Sequence, residues 1–137
     1  MNFSKKSLGQ NFLNDQNIIK KIVNLTEIRN KNIIEIGPGK GALTSEILSK
    51  NPSSLILIEK DYFLAKDLKK KFSRNKSIRI YNEDILKFNF NKISKSNYKI
   101  FGNLPYNISS QILVKIVKLN SLPIKLKDVV FMFQKEL

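Results

Sequence analysis

The 137 residues are 42% hydrophobic, enough for one modest core and one domain. Cysteine and histidine are both absent, which excludes disulfides, thiolate or imidazole metal sites and any nucleophile that needs a histidine base; only carboxylates remain as metal ligands. Lys and Arg number 25 against 11 Asp and Glu, and the resulting net charge of +14 favours a polyanionic partner, nucleic acid first, with a coding bias towards Lys, Asn and Ile as a second source of the excess.

The N-terminus, MNFSKKSLGQNFLND, has charges and amides where a secretory leader needs an apolar stretch, and no run of 18 apolar residues follows. The expectation is a soluble, cytoplasmic chain with no membrane span. Ile18, Ile19, Ile22, Val23 and Leu25 then recur at helical spacing behind Asn14 or Asp15 as N-cap, which predicts a leading helix. NIIEIGPGKGALTSEILSK reads as a short buried strand, a glycine turn and a helix, and SSLILIEKDYFLAKDLKKKF repeats strand then helix. Two successive βα units imply parallel pairing. SIRIYNEDIL supplies a third strand and a turn, NKISKSN a polar loop, YKIFGNLPY a fourth strand, ISSQILVKIVKL a helix and KDVVFMFQ a fifth strand. The alternation predicts an open α/β sheet of mostly parallel strands with helices on both faces.

Such a sheet binds its ligand beyond the carboxyl ends of the strands, so Gly37, Glu59, Asp84 and Asn103, each read as closing one of the first four strands, are the candidate residues. Gly37, Gly39 and Gly41 in EIGPGKG allow a tight turn and close backbone approach to a ligand, or make a simple connection. Pro38 and the G-x-G-x-G spacing depart from the dinucleotide fingerprint, and the lack of a following G-K-[ST] excludes a P-loop. Glu59, 22 residues after Gly37, stands where an acid accepts both hydroxyls of a ribose; its plain alternative is a solvated pair with Lys60 or Lys66. Asp84, with Glu83 as the neighbouring alternative, is placed to accept from the amine of a cofactor adenine.

IFGNLPYNIS sets an amide, a proline and an aromatic ring where the fourth strand is expected to end. An exocyclic adenine amine is a poor nucleophile because its lone pair is delocalised into the ring, and two acceptors on its protons favour rehybridisation. The Asn103 side-chain carbonyl is one acceptor; the Leu104 backbone carbonyl, held extended because Pro105 disfavours the helical region before it, is the other. Tyr106 supplies a stacking face. The plain alternative is a strand-to-helix turn with Asn103 as cap.

Taken in order, KKSLGQNFLND, IIEIGPGKGALT, LILIEKD, YNEDIL, VFMFQKE and above all IFGNLPYNIS resemble the ribosomal small-subunit RNA adenine dimethyltransferases over nearly the whole chain. The resemblance implies a Rossmann-like, class I S-adenosylmethionine-dependent methyltransferase fold, with S-adenosylmethionine as methyl donor and no metal. It implies dimethylation of two adjacent adenines in a hairpin near the 3′ end of small-subunit ribosomal RNA, by a monomer acting on the immature small subunit. Carried over by position, Asn11 and Leu13 resemble N-terminal contacts that close over the cofactor, and Gly37 and Gly39 the glycine-loop contacts. Glu59 matches the ribose carboxylate, Asp84 and Ile85 the adenine contacts, and Asn103 the amine acceptor beside the cofactor. Leu104, Pro105 and Tyr106 complete the target-base motif, and Phe133 matches a second wall at a position where the family often has Leu or Val.

Two alternatives accompany this reading. The sister family that methylates one large-subunit RNA adenine and confers macrolide resistance shares the Asn-(Leu/Ile)-Pro-Tyr strand end, but LGQNFL, Pro38 and QKE favour the small-subunit enzymes. A non-catalytic assembly factor that binds ribosomal RNA through the same basic surface is the alternative of a different class, and intact Asn103 and Glu59 weigh against it. The family resembled has a seven-stranded domain followed by a small helical one. Residues 1–137 therefore read as a truncated N-terminal portion of the methyltransferase domain, expected to be a poor catalyst alone.

Overall fold

NIIEI and SLILI are nearly unbroken runs of β-branched and aliphatic residues, the pattern of strands covered on both faces. They form β1 (Asn32–Ile36) and β2 (Ser54–Ile58), paired in parallel from Asn32↔Ser54 to Ile36↔Ile58. The computed structural model describes residues 15–94, 96–119 and 125–134; of residues 106, 117, 119, 125–127, 133 and 134 only the backbone is described. Beyond β2 lies β3 (Ile78–Tyr81), and on the other side of β1 lie β4 (Asn97–Pro105) and β5 (Lys125–Gln134). The order β3-β2-β1-β4-β5 is parallel throughout. The chain steps outward from β1 to β3 and then crosses back to β4, so the strand order reverses between β1 and β4. A crevice opens at that reversal, beyond the carboxyl ends of the two strands.

Side chains alternate across the sheet and give it two cores. Ile33, Leu55, Leu57, Phe101 and Met132 face α1 (Gln16–Val23), α2 (Ala42–Ser49) and α3 (Tyr62–Lys71), which contribute Ile19, Leu43, Ile47 and Leu68. Ile34, Ile36, Ile56, Ile58, Ile100 and Leu104 face the other way. They are covered by Ile112 and Ile116 of α4 (Tyr106–Leu119) and by Ile85, Phe88, Phe90 and Ile93 of the segment after β3, which includes a short 3-10 turn at Phe90–Lys92. Parallel strands buried on both faces are thereby satisfied, as expected from the sequence.

Asp15, one of the two expected caps, caps α1, its carboxylate accepting from the N–H groups of Asn17 and Ile18. Three expectations change in detail. Leu25 is not part of the apolar stripe: the helix ends at Val23, and Leu25 is 68% exposed. Asp84 does not close β3, which stops at Tyr81; Asn82 turns the chain by donating its side-chain N–H to the carbonyls of Glu59 and Lys60, both at 3.0 Å. Asn103 does not end β4, which runs on through Pro105, so α4 starts at Tyr106.

Candidate functional site

The late end of β4 builds one wall of the crevice. Gly102 lies opposite Ile36, the last residue of β1, so Asn103, Leu104 and Pro105 run past β1 and pair only with Met132, Phe133 and Gln134 of β5. The tetrapeptide Asn-Leu-Pro-Tyr is thus the overhanging tip of a strand and the first residue of a helix. Pro105 has no N–H for further ladder bonds and suits this boundary.

Gly37 turns the chain away at the end of β1. Its φ is +68°, and an added Cβ would stand 3.1 Å from the backbone carbonyl oxygen of Asn103. Only glycine meets both demands without strain. Its N–H remains in the ladder, donating to Ile58 O at 2.9 Å.

Glu59 follows β2 directly and is 7% exposed. Its Oε1 accepts from the Gly39 N–H and its Oε2 from the Asp61 N–H, both at 2.9 Å, while Asp61 caps α3 through the Leu64 N–H at 3.0 Å. One carboxylate therefore holds both the glycine turn and the start of a helix. Since a carboxylate offers about four acceptor positions, each oxygen keeps one for a ligand hydroxyl. Among the described residues no lysine pairs with it; Lys60 reaches Asp84 instead, at 3.8 Å and largely in solvent, where the pair contributes little.

Asp84 fixes its own turn, Oδ1 accepting from the Leu86 N–H at 3.0 Å and its carbonyl from the Lys87 N–H at 2.9 Å. Glu83, the alternative acid, is held by Lys92 at 2.7 Å. A cleft of about 270 Å³ gathers Gly37, Glu59, Asp84, Ile85, Asn103, Leu104 and Pro105, with Ile36, Ile58, Ile108 and Ile112 as apolar walls. Gly39 contributes through its bond to Glu59. Asn11 and Leu13 lie outside the described residues, as do the side chains of Tyr106 and Phe133.

Two residues that pack behind the cleft, without lining it, escape the sequence reading. Glu35 of β1 is 1% exposed and accepts from the Thr44 hydroxyl at 2.5 Å. Burial pushes its pKa up to about 8, with the Thr44 bond pulling it down and the Glu59 charge adding to the rise. Lys115 of α4 donates to the carbonyls of Ile85 and Phe88. Its position on the apolar face of α4, at helical spacing from Ile108 and Ile112, is the signal that marks it.

The family described as ribosomal RNA adenine dimethylase matches residues 1–137, the whole chain. The chain belongs to the ribosomal RNA adenine dimethylase family. Among curated dimethylase-family relatives, ribosomal RNA small subunit methyltransferase A of Pelagibacter ubique is 50% identical over 133 residues, covering 97% of this chain and 50% of that protein. The chain spans about half the length of the curated relatives it matches. A dimethyladenosine transferase from Plasmodium falciparum superposes with a TM-score of 0.74 at 28% identity, over 88% of this chain and 42% of that one. The 23S rRNA methyltransferase ErmE superposes with a TM-score of 0.68 at 31% identity, over 82% of this chain and 44% of that one. This dimethylase-family sheet is the Rossmann-like class I methyltransferase arrangement through five strands. No helix among its described residues is long and apolar enough to cross a membrane.

Proposed function

We propose that the cleft binds S-adenosylmethionine and that the protein dimethylates the exocyclic amines of two adjacent adenines in small-subunit ribosomal RNA. In this reading residues 1–137 are the N-terminal portion of the methyltransferase domain, acting in the cytoplasm as a monomer on the immature small subunit. The observation that carries it is the overhang of Asn103–Pro105 beyond β1, into the cleft that Glu59 and Asp84 also line. The identity of 50% to a small-subunit methyltransferase, against 31% to ErmE, favours small-subunit over large-subunit RNA.

The residues present suit that cofactor. Glu59 keeps an acceptor on each oxygen for a ribose diol, Gly37 and Gly39 admit the ligand to the backbone, and Ile58 and Ile85 offer apolar surface beside the Asp84 carboxylate for a purine. When bound, S-adenosylmethionine supplies a methyl group activated on a sulfonium sulfur. The Asn103 side-chain oxygen and the Leu104 carbonyl accept hydrogen bonds from the two N–H groups of the target amine, which favours a tetrahedral nitrogen with its lone pair out of conjugation. Tyr106 offers a face to the base once it leaves its stack. A neutral amide suffices because the positive charge passes from sulfur to the amine nitrogen, where the two acceptors stabilise it until one proton leaves to solvent, and placement supplies most of the acceleration.

Labelled S-adenosylmethionine and immature small subunits test the proposal: label is expected in two adjacent adenines of the small-subunit RNA. Label in large-subunit RNA would assign the protein to the macrolide-resistance type, and RNA binding without transfer to an assembly factor. Glu59→Ala is expected to weaken cofactor binding by roughly 1.5–3 kcal/mol, the range for a hydrogen bond to a charged group, read by calorimetry. Unchanged affinity would remove Glu59 from the site.

RNA affinity is expected to fall steeply with salt, each phosphate contact adding about 0.7–0.9 to the log–log slope. A flat filter-binding series would assign the +14 charge to coding bias and solubility.

A further inference from the structure

We propose that Lys115 is a positioning residue whose ammonium fixes the turn carrying Asp84 and Ile85 against the helix that continues from Asn103–Pro105. The inference rests on the methyltransferase reading above. The two walls of the cleft come from these two elements, Glu83–Leu86 on one side and the β4 tip with the first turns of α4 on the other. Within α4, Lys115 shares a face with Ile108 and Ile112, both of which line the cleft.

Its Nζ donates to the carbonyl oxygens of Ile85 at 2.7 Å and Phe88 at 2.8 Å, and lies 5.6 Å from the centre of the Phe90 ring. These carbonyls belong to the turn that Asp84 opens, where Ile85 O also accepts the Phe88 N–H at 3.3 Å. A single charged donor with three hydrogens satisfies both acceptors, and no backbone group of α4 is free to do so in mid-helix. Partial burial pulls the Lys115 pKa below the ordinary lysine range, and the Asp84 charge works against that fall.

Without the ammonium, the turn loses both hydrogen bonds from Lys115 and leans more on apolar contacts, which are less directional. Asp84 and Ile85 then sample positions away from the overhang, and the cleft loses its set width.

The test is calorimetric titration of S-adenosylhomocysteine into the full-length protein, well below the melting midpoint of each variant. K115M keeps the aliphatic stem and is expected to raise the Kd about tenfold, the loss of one charge-assisted hydrogen bond, with RNA affinity unchanged. K115R, which keeps charge and donors, is expected to stay within about threefold of wild type. Should K115M fail to melt cooperatively, Lys115→Gln, which keeps a donor without the charge, is read in the same way. A lowered melting point with unaltered Kd would overturn the positioning role and show a purely structural one. If Glu59→Ala weakens binding and the Lys115 variants do not, the methyltransferase reading stands and this inference falls. Failure of the wild-type protein to bind would overturn both.

Discussion

Replacing Asn103 by alanine is expected to lower methyl transfer by about 10²-fold or more while leaving S-adenosylhomocysteine affinity nearly intact, as for the loss of one preorganised polar group. The substitution removes the side-chain amide but not the backbone that pairs with β5, nor the carbonyl that stands against Gly37. Glu59 and Asp84, which carry most of the proposed cofactor contacts, sit in the turns after β2 and β3 and are untouched. Single-turnover methyl transfer at saturating cofactor separates the chemistry from binding. A rate near wild type would show that the amide accepts no hydrogen bond from the target amine.

Glu35→Gln is expected to abolish a large pH dependence of stability. Glu35 lies on the face of β1 that meets α2, and burial pushes its pKa from an ordinary 4.5 up to about 8, so its carboxyl is neutral at pH 7. A carboxyl whose folded pKa is raised stabilises fully below the unfolded value, and that contribution is lost as pH rises towards the folded one. Here the window runs from about pH 4.5 to about pH 8. At about 1.4 kcal/mol per pKa unit the fall across it is roughly 4–5 kcal/mol. Glutamine keeps an acceptor for Thr44 and does not titrate, so the variant's curve is expected to be flat where the parent's declines. Urea midpoints at pH 5 and pH 8 measure the difference, and parallel curves would refute the assignment. A neutral Glu35 also spares Glu59 a second carboxylate charge beneath the glycine turn.

The central strands were legible because NIIEI and SLILI bury both faces, and the order reversal follows from the βα alternation. Glycine turn, acid and amide could be placed at one sheet edge for the same reason. What was misread depends on partners distant in sequence. Asn and Pro are poor strand formers, and β4 extends through them only because residues 132–134 arrive to pair with it. Asp84 looked like a strand end because the side-chain bonds of Asn82, which stop β3 early, leave no local signature. A lone acid in a strand likewise says nothing about its protonation; Glu35 needs its burial and Thr44 to be understood. Lys115 is one lysine in a lysine-rich chain until α4 is laid over the turn at Ile85.

The one-sided tip of β4 also divides the site by local stability. Gly37 and Glu59 follow β1 and β2, each paired on both sides. Asn103–Pro105 runs past β1 and is paired on one side only, with β5. Opening energies in a folded protein range from near zero at margins to the full unfolding energy at the centre. The amide exchange of the tip is therefore governed by β5, whereas that of the glycine turn follows the sheet as a whole. The proposed cofactor half opens only with the sheet, while the proposed target-base half can part and reclose by a local fluctuation, which suits the proposed entry of a bulky base.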